Sequence, residues 1–205
     1  MNMYTLDGYS LRHGWLRIDI GRLYHIHRIH EVKRRKAQSM ASKKRSVEVL
    51  VSRHGRRKRD RARDFVHKLI THLARTFPNA LHGFEDLDKQ GMYGESRKHN
   101  SGVAKQNWKQ IVQHMSYKAR VRLVDPRNTS STCPACGGRM VKLRNGRVVT
   151  CERCGLTLDR QLCGAVNVYL KMCGFPPSPS TFFRSVSRPL ARSMKRRRGA
   201  PVRGG

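Results

Sequence analysis

The chain has 205 residues, and its 44 Lys and Arg against 13 Asp and Glu give a formal net charge of 44 − 13 = +31. A compact protein with this much like charge repels itself unless a polyanion neutralises it, so we expect a nucleic-acid partner. No apolar run approaches the roughly 18 residues of a membrane span, and no signal-peptide core follows Met1, so we expect a cytoplasmic protein without a membrane partner. The sequence leaves the oligomeric state open.

The first half of the chain predicts a β-hairpin followed by two basic helices. The first twenty residues alternate in polarity, with a turn either at Asp7-Gly8 or at residues 12–14. The periodicity then predicts helices at about 24–42 and 56–77. Between residues 28 and 75 there are 17 Lys and Arg against four acidic residues. A basic run is usually a solvated helix face, but no acidic block offsets this one, so we favour contact with nucleic acid.

The second half predicts shorter elements and an unstructured tail. After residue 174 come several prolines and serines, and the last 22 residues (184–205) carry eight Lys and Arg and no acid. We expect this tail to be disordered and to bind polyanions without base preference. The other elements are a strand at 80–87, a polar loop at 88–102, a helix at about 103–117, a strand at 121–126 and a helix at about 160–173.

Four of the six cysteines form two Cys-x-x-Cys pairs, Cys133 with Cys136 and Cys151 with Cys154, separated by the fourteen residues 137–150. Four thiolates at this spacing suit tetrahedral coordination of one Zn²⁺ ion. A glycine follows each pair, and an Asn-Gly step between the pairs predicts a hairpin turn. A redox pair is the alternative for a single Cys-x-x-Cys, but two copies around a hairpin predict a zinc ribbon. The remaining cysteines, Cys163 and Cys173, are predicted to pack in a helix.

Three sequence stretches and their order resemble the C-terminal part of the TnpB (OrfB) family of transposon-encoded proteins. The stretches are His82 to Leu87, the ribbon entrance Ser130 to Gly137, and Cys154 to Arg160. A fourth, Tyr24 to Arg28 before a basic helix, is similar to an archaeal branch of that family. The resemblance implies an α/β fold: an RNase H/RuvC-like mixed sheet with flanking helices, interrupted by a small zinc ribbon. Its predicted parts are a RuvC-like domain at 1–129 that is incomplete at its N-terminus, the ribbon at 130–156, a C-terminal helix at 157–174 and the disordered basic tail at 175–205.

The family chemistry implied by this resemblance is DNA phosphodiester cleavage by two Mg²⁺ ions held on three carboxylates. Glu85 matches the second carboxylate of the family, and Asp159 lies in its third motif. DNA is the implied partner, with a guide RNA as a second candidate.

The chain departs from the family pattern at two places. The third motif normally reads Asp-Arg-Asp, whereas Gln161 stands here at the position of the second Asp, and a neutral amide cannot supply its charge. The first catalytic Asp is expected upstream of Met1, and Asp19 belongs by its order to the following strand. We therefore expect a transposase-family protein that binds DNA through its basic helices and has a partial two-metal nuclease site with little or no cleavage. The alternatives are a regulator that binds nucleic acid without chemistry and a ribonucleoprotein component.

Overall fold

A computed structural model of the chain describes residues 5–10, 12–40, 45–88, 90–94, 96–105, 107–143, 146–180 and 182. Helices and strands are mixed along the chain, and the chain divides into two compact units. One unit contains Asp19–Arg122, and the other contains Leu6–Ile18 together with the described residues from Leu123 onward. Among the described residues, no helix is both long enough and apolar enough to cross a membrane.

A hairpin and a set of basic helices make up the first part of the chain. The elements are β1 (Thr5–Ser10), β2 (Gly14–Asp19), α1 (Gly21–Ser39), α2 (Arg45–Thr76), β3 (Leu81–Glu85), α3 (Arg97–Ala104), α4 (Trp108–Ser116) and β4 (Arg120–Val124). The hairpin strands β1 and β2 pair with each other, and β3 pairs with β4 in a separate two-stranded sheet. The helices bury apolar side chains such as Val66 and Ile70 of α2 and Ile111 and Met115 of α4.

The rest of the described chain is a three-stranded sheet followed by a helix. The elements are β5 (Met140–Lys142), β6 (Val148–Cys151), β7 (Thr157–Asp159) and α5 (Arg160–Cys173). The strands run antiparallel in the order β5-β6-β7. We call residues 130–159 the ribbon. Helix α5 packs Val166 and Leu170 against Met140 and Val149 of the ribbon, which gives this small unit its hydrophobic core.

Several predicted elements are confirmed, and their bounds show where local signals are weak. The hairpin, β3, β4 and α5 lie where the sequence places them, and the hairpin turn lies between residues 10 and 14, so Asp7-Gly8 is inside β1. Helix α2 begins at Arg45, well before the predicted residue 56. The prediction was wrong because Gly55 looked like a helix boundary, although a single glycine is tolerated inside a helix and residues 45–55 contain no proline.

The predicted loop at 88–102 is wrong at its C-terminal end, because α3 begins there. The Ser96 side chain accepts a hydrogen bond from the His99 N–H (3.4 Å) and caps the helix. The predicted helix at 103–117 is accordingly two helices, α3 ending at Ala104 and α4 starting at Trp108. Ser96 was a sequence signal for a helix start, but the polar residues and glycines around it are typical of a loop, so the helix was not predicted.

Two further features differ from expectation. The described strands form three small sheets, so the single mixed sheet of an RNase H-like domain is not confirmed. Within the predicted tail, Phe182 is buried in the ribbon core and its N–H donates to the Ser178 carbonyl (2.9 Å). The aromatic side chain of Phe182 after the proline-rich stretch was the sequence feature that could have predicted this packing. Residues 183–205 of the predicted tail lie outside the described residues.

Candidate metal centre and catalytic carboxylates

The two Cys-x-x-Cys pairs form similar tight turns that aim all four sulfurs at one point. After the first pair, the Gly137 N–H donates to the Cys133 carbonyl (2.9 Å), and after the second, the Gly155 N–H donates to the Cys151 carbonyl (3.0 Å). Both glycines have positive φ values, 73° and 70°, which other residues rarely adopt. The glycines predicted to shape the turns are therefore confirmed in that role.

A third glycine, Gly138, makes room for the sulfurs and was missed by sequence reasoning. A Cβ atom there would lie 3.1 Å from the Cys151 Sγ, 3.2 Å from the Cys136 Sγ and 2.9 Å from the Cβ of Arg153. The Gly138 carbonyl also accepts a hydrogen bond from the Cys133 N–H (2.7 Å). The Gly-Gly pair after the first knuckle was the available signal.

The sulfur geometry fits a tetrahedral metal ion. The ligand atoms of Cys133, Cys136, Cys151 and Cys154 all lie within 4.8 Å of one another. The Cys133 and Cys154 sulfurs are 3.7 Å apart, and those of Cys136 and Cys151 are 3.5 Å apart. Tetrahedral Zn–S bonds of about 2.3 Å imply sulfur separations of about 3.8 Å, so the observed distances match. Soft thiolate ligands favour zinc over hard ions such as Mg²⁺.

The protonation of the thiols follows their surroundings. Burial raises the pKa of Cys133 to about 12. Burial also acts on Cys151, but the N–H groups of Cys154 and Arg153 outweigh it and lower the pKa of the Cys151 thiol to about 7. The Cys151 thiol is thus the more acidic of the two, and a bound cation would favour the thiolate form of both, which couples metal binding to proton release.

Helix α5 braces the entrance to the ribbon through two polar residues that sequence reasoning missed. The buried Asn167 side chain donates to the carbonyls of Thr129 (2.7 Å) and Thr132 (2.8 Å). One turn later, the Lys171 ammonium group donates to the carbonyls of Asp125 (2.9 Å) and Arg127 (2.6 Å). An asparagine on the apolar face of a helix was the signal, because a buried amide requires partners.

Cys163 is a packing residue, as predicted. Its side chain is fully buried, its thiol lies 3.6 Å from the Thr132 carbonyl, and burial raises its pKa to about 11. A protonated, buried thiol of this kind is inert. Cys173, the other residue predicted to pack, is the last residue of α5 but is exposed, so that part of the prediction is wrong.

Asp159 sits at the start of α5 with both carboxylate oxygens engaged. One oxygen accepts from the Gln161 N–H (2.8 Å) as a helix cap, and the other lies 3.2 Å from the Arg147 Nε and 3.5 Å from an Arg17 guanidinium nitrogen. Partial burial opposes ionisation, but the Gln161 N–H and the two arginines lower the pKa of Asp159. These contacts hold the Asp159 carboxylate in its ionised form and give it a structural role at the start of α5. Gln161 takes part through its backbone N–H.

Replacement of Asp159 should therefore destabilise the ribbon unit. We expect Asp159→Ala to lower the free energy of unfolding by about 1 kcal/mol, which is typical for loss of a helix cap. Asp159→Asn keeps a capping oxygen and loses the charge that faces two arginines, so its loss should be smaller. Chemical denaturation at neutral pH measures both variants. Equal losses would show that the ion pairs, and not the cap, hold the helix start.

Glu85 and Asp19 each end a strand. Glu85 is the last residue of β3 and half-buried, and its carbonyl accepts from the indole N–H of Trp108 (2.9 Å), while Phe84 packs edge-on against the same indole. Asp19 ends β2 and is exposed, and its carboxylate accepts from the Gly21 N–H (2.7 Å) at the start of α1. That contact gives Asp19 a local structural role.

The described residues do not provide a magnesium site within either unit. The four cysteines are the only group of three or more Cys, His, Asp or Glu side chains in the described chain that lie close enough to share an ion. Two Mg²⁺ ions require several carboxylate oxygens in one place. The donor set thus fits zinc and does not fit two magnesium ions, and the catalytic roles of Glu85 and Asp159 stay predictions.

The cysteine geometry and the fold together define a class of protein: a mixed helix-and-strand chain that carries a four-cysteine knuckle module. Residues 108–168 match the model of the Cas12f1-like TNB domain. TnpB-like protein MJ1635 of Methanocaldococcus jannaschii is 38% identical over 177 residues, which cover 84% of this chain and 42% of that protein. TnpB-like protein MJ0012 of the same archaeon is 39% identical over 119 residues, covering 58% and 56%. The chain belongs to the TnpB family, and it spans about half the length of these relatives.

Two solved structures also match in part. The Cas12f1–sgRNA–target DNA complex aligns with a TM-score of 0.47 and 18% identity, over 82% of this chain and 50% of that chain. CasPhi-2 (Cas12j) bound to crRNA and phosphorothioate DNA aligns with a TM-score of 0.45 and 20% identity, over 66% and 24%.

Proposed function

We propose that this chain is a TnpB-type protein that binds DNA, holds one structural Zn²⁺ ion in its ribbon and lacks nuclease activity of its own. Its fold would descend from an RNase H/RuvC-like endonuclease domain. DNA is the main partner, and a guide RNA is a candidate second partner. The cytoplasmic location expected from the sequence stays a prediction.

The observation that carries this proposal is the four-cysteine cluster. It lies inside the stretch that matches the Cas12f1-like TNB domain, and its sulfur distances suit zinc. A ribbon this small has too little apolar core to be stable alone, so a bound ion would supply much of its folding free energy. The zinc therefore acts by fixing the surface around it and by holding the start of α5.

Charge supports nucleic acid as the partner. The formal net charge is +31, and the exposed side chains of α1 and α2 include many arginines and lysines. Binding to phosphates releases condensed counterions and gives affinity without base readout. An acidic protein surface would offer fewer and less regular charges than a polynucleotide of the same length.

A second candidate function, a regulator that binds nucleic acid without chemistry, is favoured by the surroundings of Asp159. Its two oxygens are already engaged by the Gln161 N–H and by arginines, and Gln161 itself is neutral. A carboxylate that serves as a helix cap is poorly available to a metal ion. Both functions involve nucleic-acid binding without cutting, and they differ in whether the chain is the remnant of a transposon nuclease or has a regulatory role.

Cleavage assays with Glu85→Ala test whether the chain cuts at all. We expect the wild-type protein with Mg²⁺ to bind single-stranded and duplex DNA and to leave both uncut, at the level of the Glu85→Ala variant. Binding measured on the same samples by fluorescence anisotropy shows that the protein is folded and engaged. Cutting that Glu85→Ala abolishes would show an active nuclease with Glu85 in its site. Cutting that survives the substitution would remove Glu85 from the site.

A further inference from the structure

Helices α1 and α2 bury polar nitrogens that have no hydrogen-bond partner among the described residues. His30 of α1 is 2% exposed, and both of its ring nitrogens are buried without a partner. Two more buried nitrogens lack a hydrogen-bond partner among the described residues, the Nδ1 of His54 on α2 and the Nε of Arg34 on α1. The rings of His30 and His54 lie 6.1 Å apart, centroid to centroid, and Arg34 follows His30 by one helical turn. Buried polar groups are almost always satisfied, so this concentration calls for a missing partner.

The charges around these nitrogens show what kind of partner is missing. The groups that act electrostatically on the His30 ring are all basic and come from both helices. Glu31, the acidic neighbour of His30, lies 2.8 Å from an Arg35 nitrogen and 2.9 Å from the Lys105 ammonium, so its charge is already compensated. A metal cation would be repelled here, whereas an anion would be attracted. The basic groups are Arg61, His54 and Arg57 on α2 and Lys33 on α1.

We propose that the crossing of α1 and α2 is a binding site for a phosphate group of a nucleic-acid backbone, with His30, Arg34 and His54 as donors. We call these residues, together with Arg57 and Arg61, the His–Arg cluster. Arg57 and Arg61 are exposed at its rim, while His30 lies at its base. Phosphate oxygens accept hydrogen bonds in several directions, which matches donors that come from two helices. This site rests on the proposed nucleic-acid-binding function and assigns one of its phosphate contacts.

Proton uptake is part of the binding. A neutral imidazole has one donor nitrogen and one acceptor nitrogen, whereas an imidazolium has two donors. In the free protein, burial first and then the neighbouring cations lower the pKa of His30, so the ring is neutral at pH 7. A bound phosphate supplies negative charge and raises that pKa again. Because the ligand raises the pKa, its affinity must increase as the pH falls through the range in which His30 titrates.

The test follows the ring of His30 by NMR in the full-length, zinc-loaded protein. The probes are inorganic pyrophosphate and a short single-stranded oligodeoxythymidylate, each titrated between pH 5.5 and 8. We expect both probes to move the His30 ring resonances and to raise the pKa of His30. Unchanged His30 resonances at saturating oligonucleotide would overturn the phosphate site and leave nucleic-acid binding intact. Pyrophosphate binding at His30 without any oligonucleotide binding would support the anion site and contradict the proposed function.

Variants give an independent readout. His30→Leu removes both unpartnered nitrogens and puts an apolar side chain in their place, so we expect an unchanged or higher melting temperature without ligand. Its oligonucleotide affinity should be weaker. The slope of log K against log salt should be shallower by about one unit, which corresponds to the loss of one phosphate contact. His25→Leu, an exposed position on the same helix, is the matched control and should behave as wild type. If His30→Leu does not fold, His54→Leu replaces it, and equal affinity and slope to the control would overturn the site.

Discussion

Cys133→Ser is expected to abolish zinc binding and to unfold the ribbon. Cys133 is fully buried at the centre of the cluster, and a serine hydroxyl is a poor zinc ligand. Apparent free energies of structural zinc binding are about 10–16 kcal/mol, which exceeds the stability of most small domains. The NMR amide resonances of the ribbon should therefore collapse toward random-coil positions, and elemental analysis should find no zinc in the variant.

Cys173→Ser is the matched control for this experiment. Cys173 is an exposed cysteine at the end of α5 and takes no part in the cluster. This variant should keep one zinc ion and the wild-type spectrum. A Cys133→Ser protein with a folded ribbon would show that packing of α5 against β5 and β6, and not a metal ion, holds the ribbon together.

Nucleic-acid affinity should fall steeply with salt, and this is the second large effect that we expect. If the basic helices contact 6–10 phosphates, the affinity should drop by about 10³–10⁵ between 50 mM and 200 mM salt. Fluorescence anisotropy with labelled oligonucleotides of one length measures the slope directly. Oligonucleotides of different base sequence serve as the control, because phosphate contacts carry no base information.

The opposite result is equally clear. A flat salt response would mean that the basic faces of α1 and α2 contact something other than phosphates. Strong discrimination between base sequences of the same length would mean that base contacts dominate. Either result would contradict the electrostatic account of binding that follows from the net charge of +31.

The metal cluster was predictable because its chemistry is local in the sequence. Cys133 and Cys136, and likewise Cys151 and Cys154, are placed by the turn that each pair makes, and the Asn-Gly step between the pairs predicts the hairpin that brings them together. Gly138 was not predictable, because its requirement arises only when the sulfurs of Cys136 and Cys151 approach its backbone from two sides. Spacing gives the ligands, but the close approach is a property of the folded unit.

Helices were predictable where an apolar stripe runs long enough. The stripe with Val66 and Ile70 placed α2 correctly, but its start at Arg45 was lost, because Gly55 lies inside the helix and looks like a boundary in the sequence. Helix α3 was lost for the opposite reason: it is short, polar and contains a glycine, so only the Ser96 cap marks it. Elements that depend on tertiary contacts for stability leave weak local signals.

The polar contacts were the least predictable part. Asn167 and Lys171 brace the ribbon entrance through backbone carbonyls, and a backbone acceptor has no sequence signature. Asp159 was predicted to be a catalytic carboxylate from its motif, whereas the structure adds a capping bond and two arginines that no motif encodes. The unpartnered nitrogens of His30 are likewise visible only once α1 lies against α2.

The metal content of the purified wild-type protein tests the central claim most directly. Elemental analysis combined with native mass spectrometry should find one zinc ion per chain, bound through four cysteine thiolates that become reactive toward alkylation only after chelation. A protein that is folded yet contains no zinc, with the same thiol reactivity before and after chelator, would contradict the account.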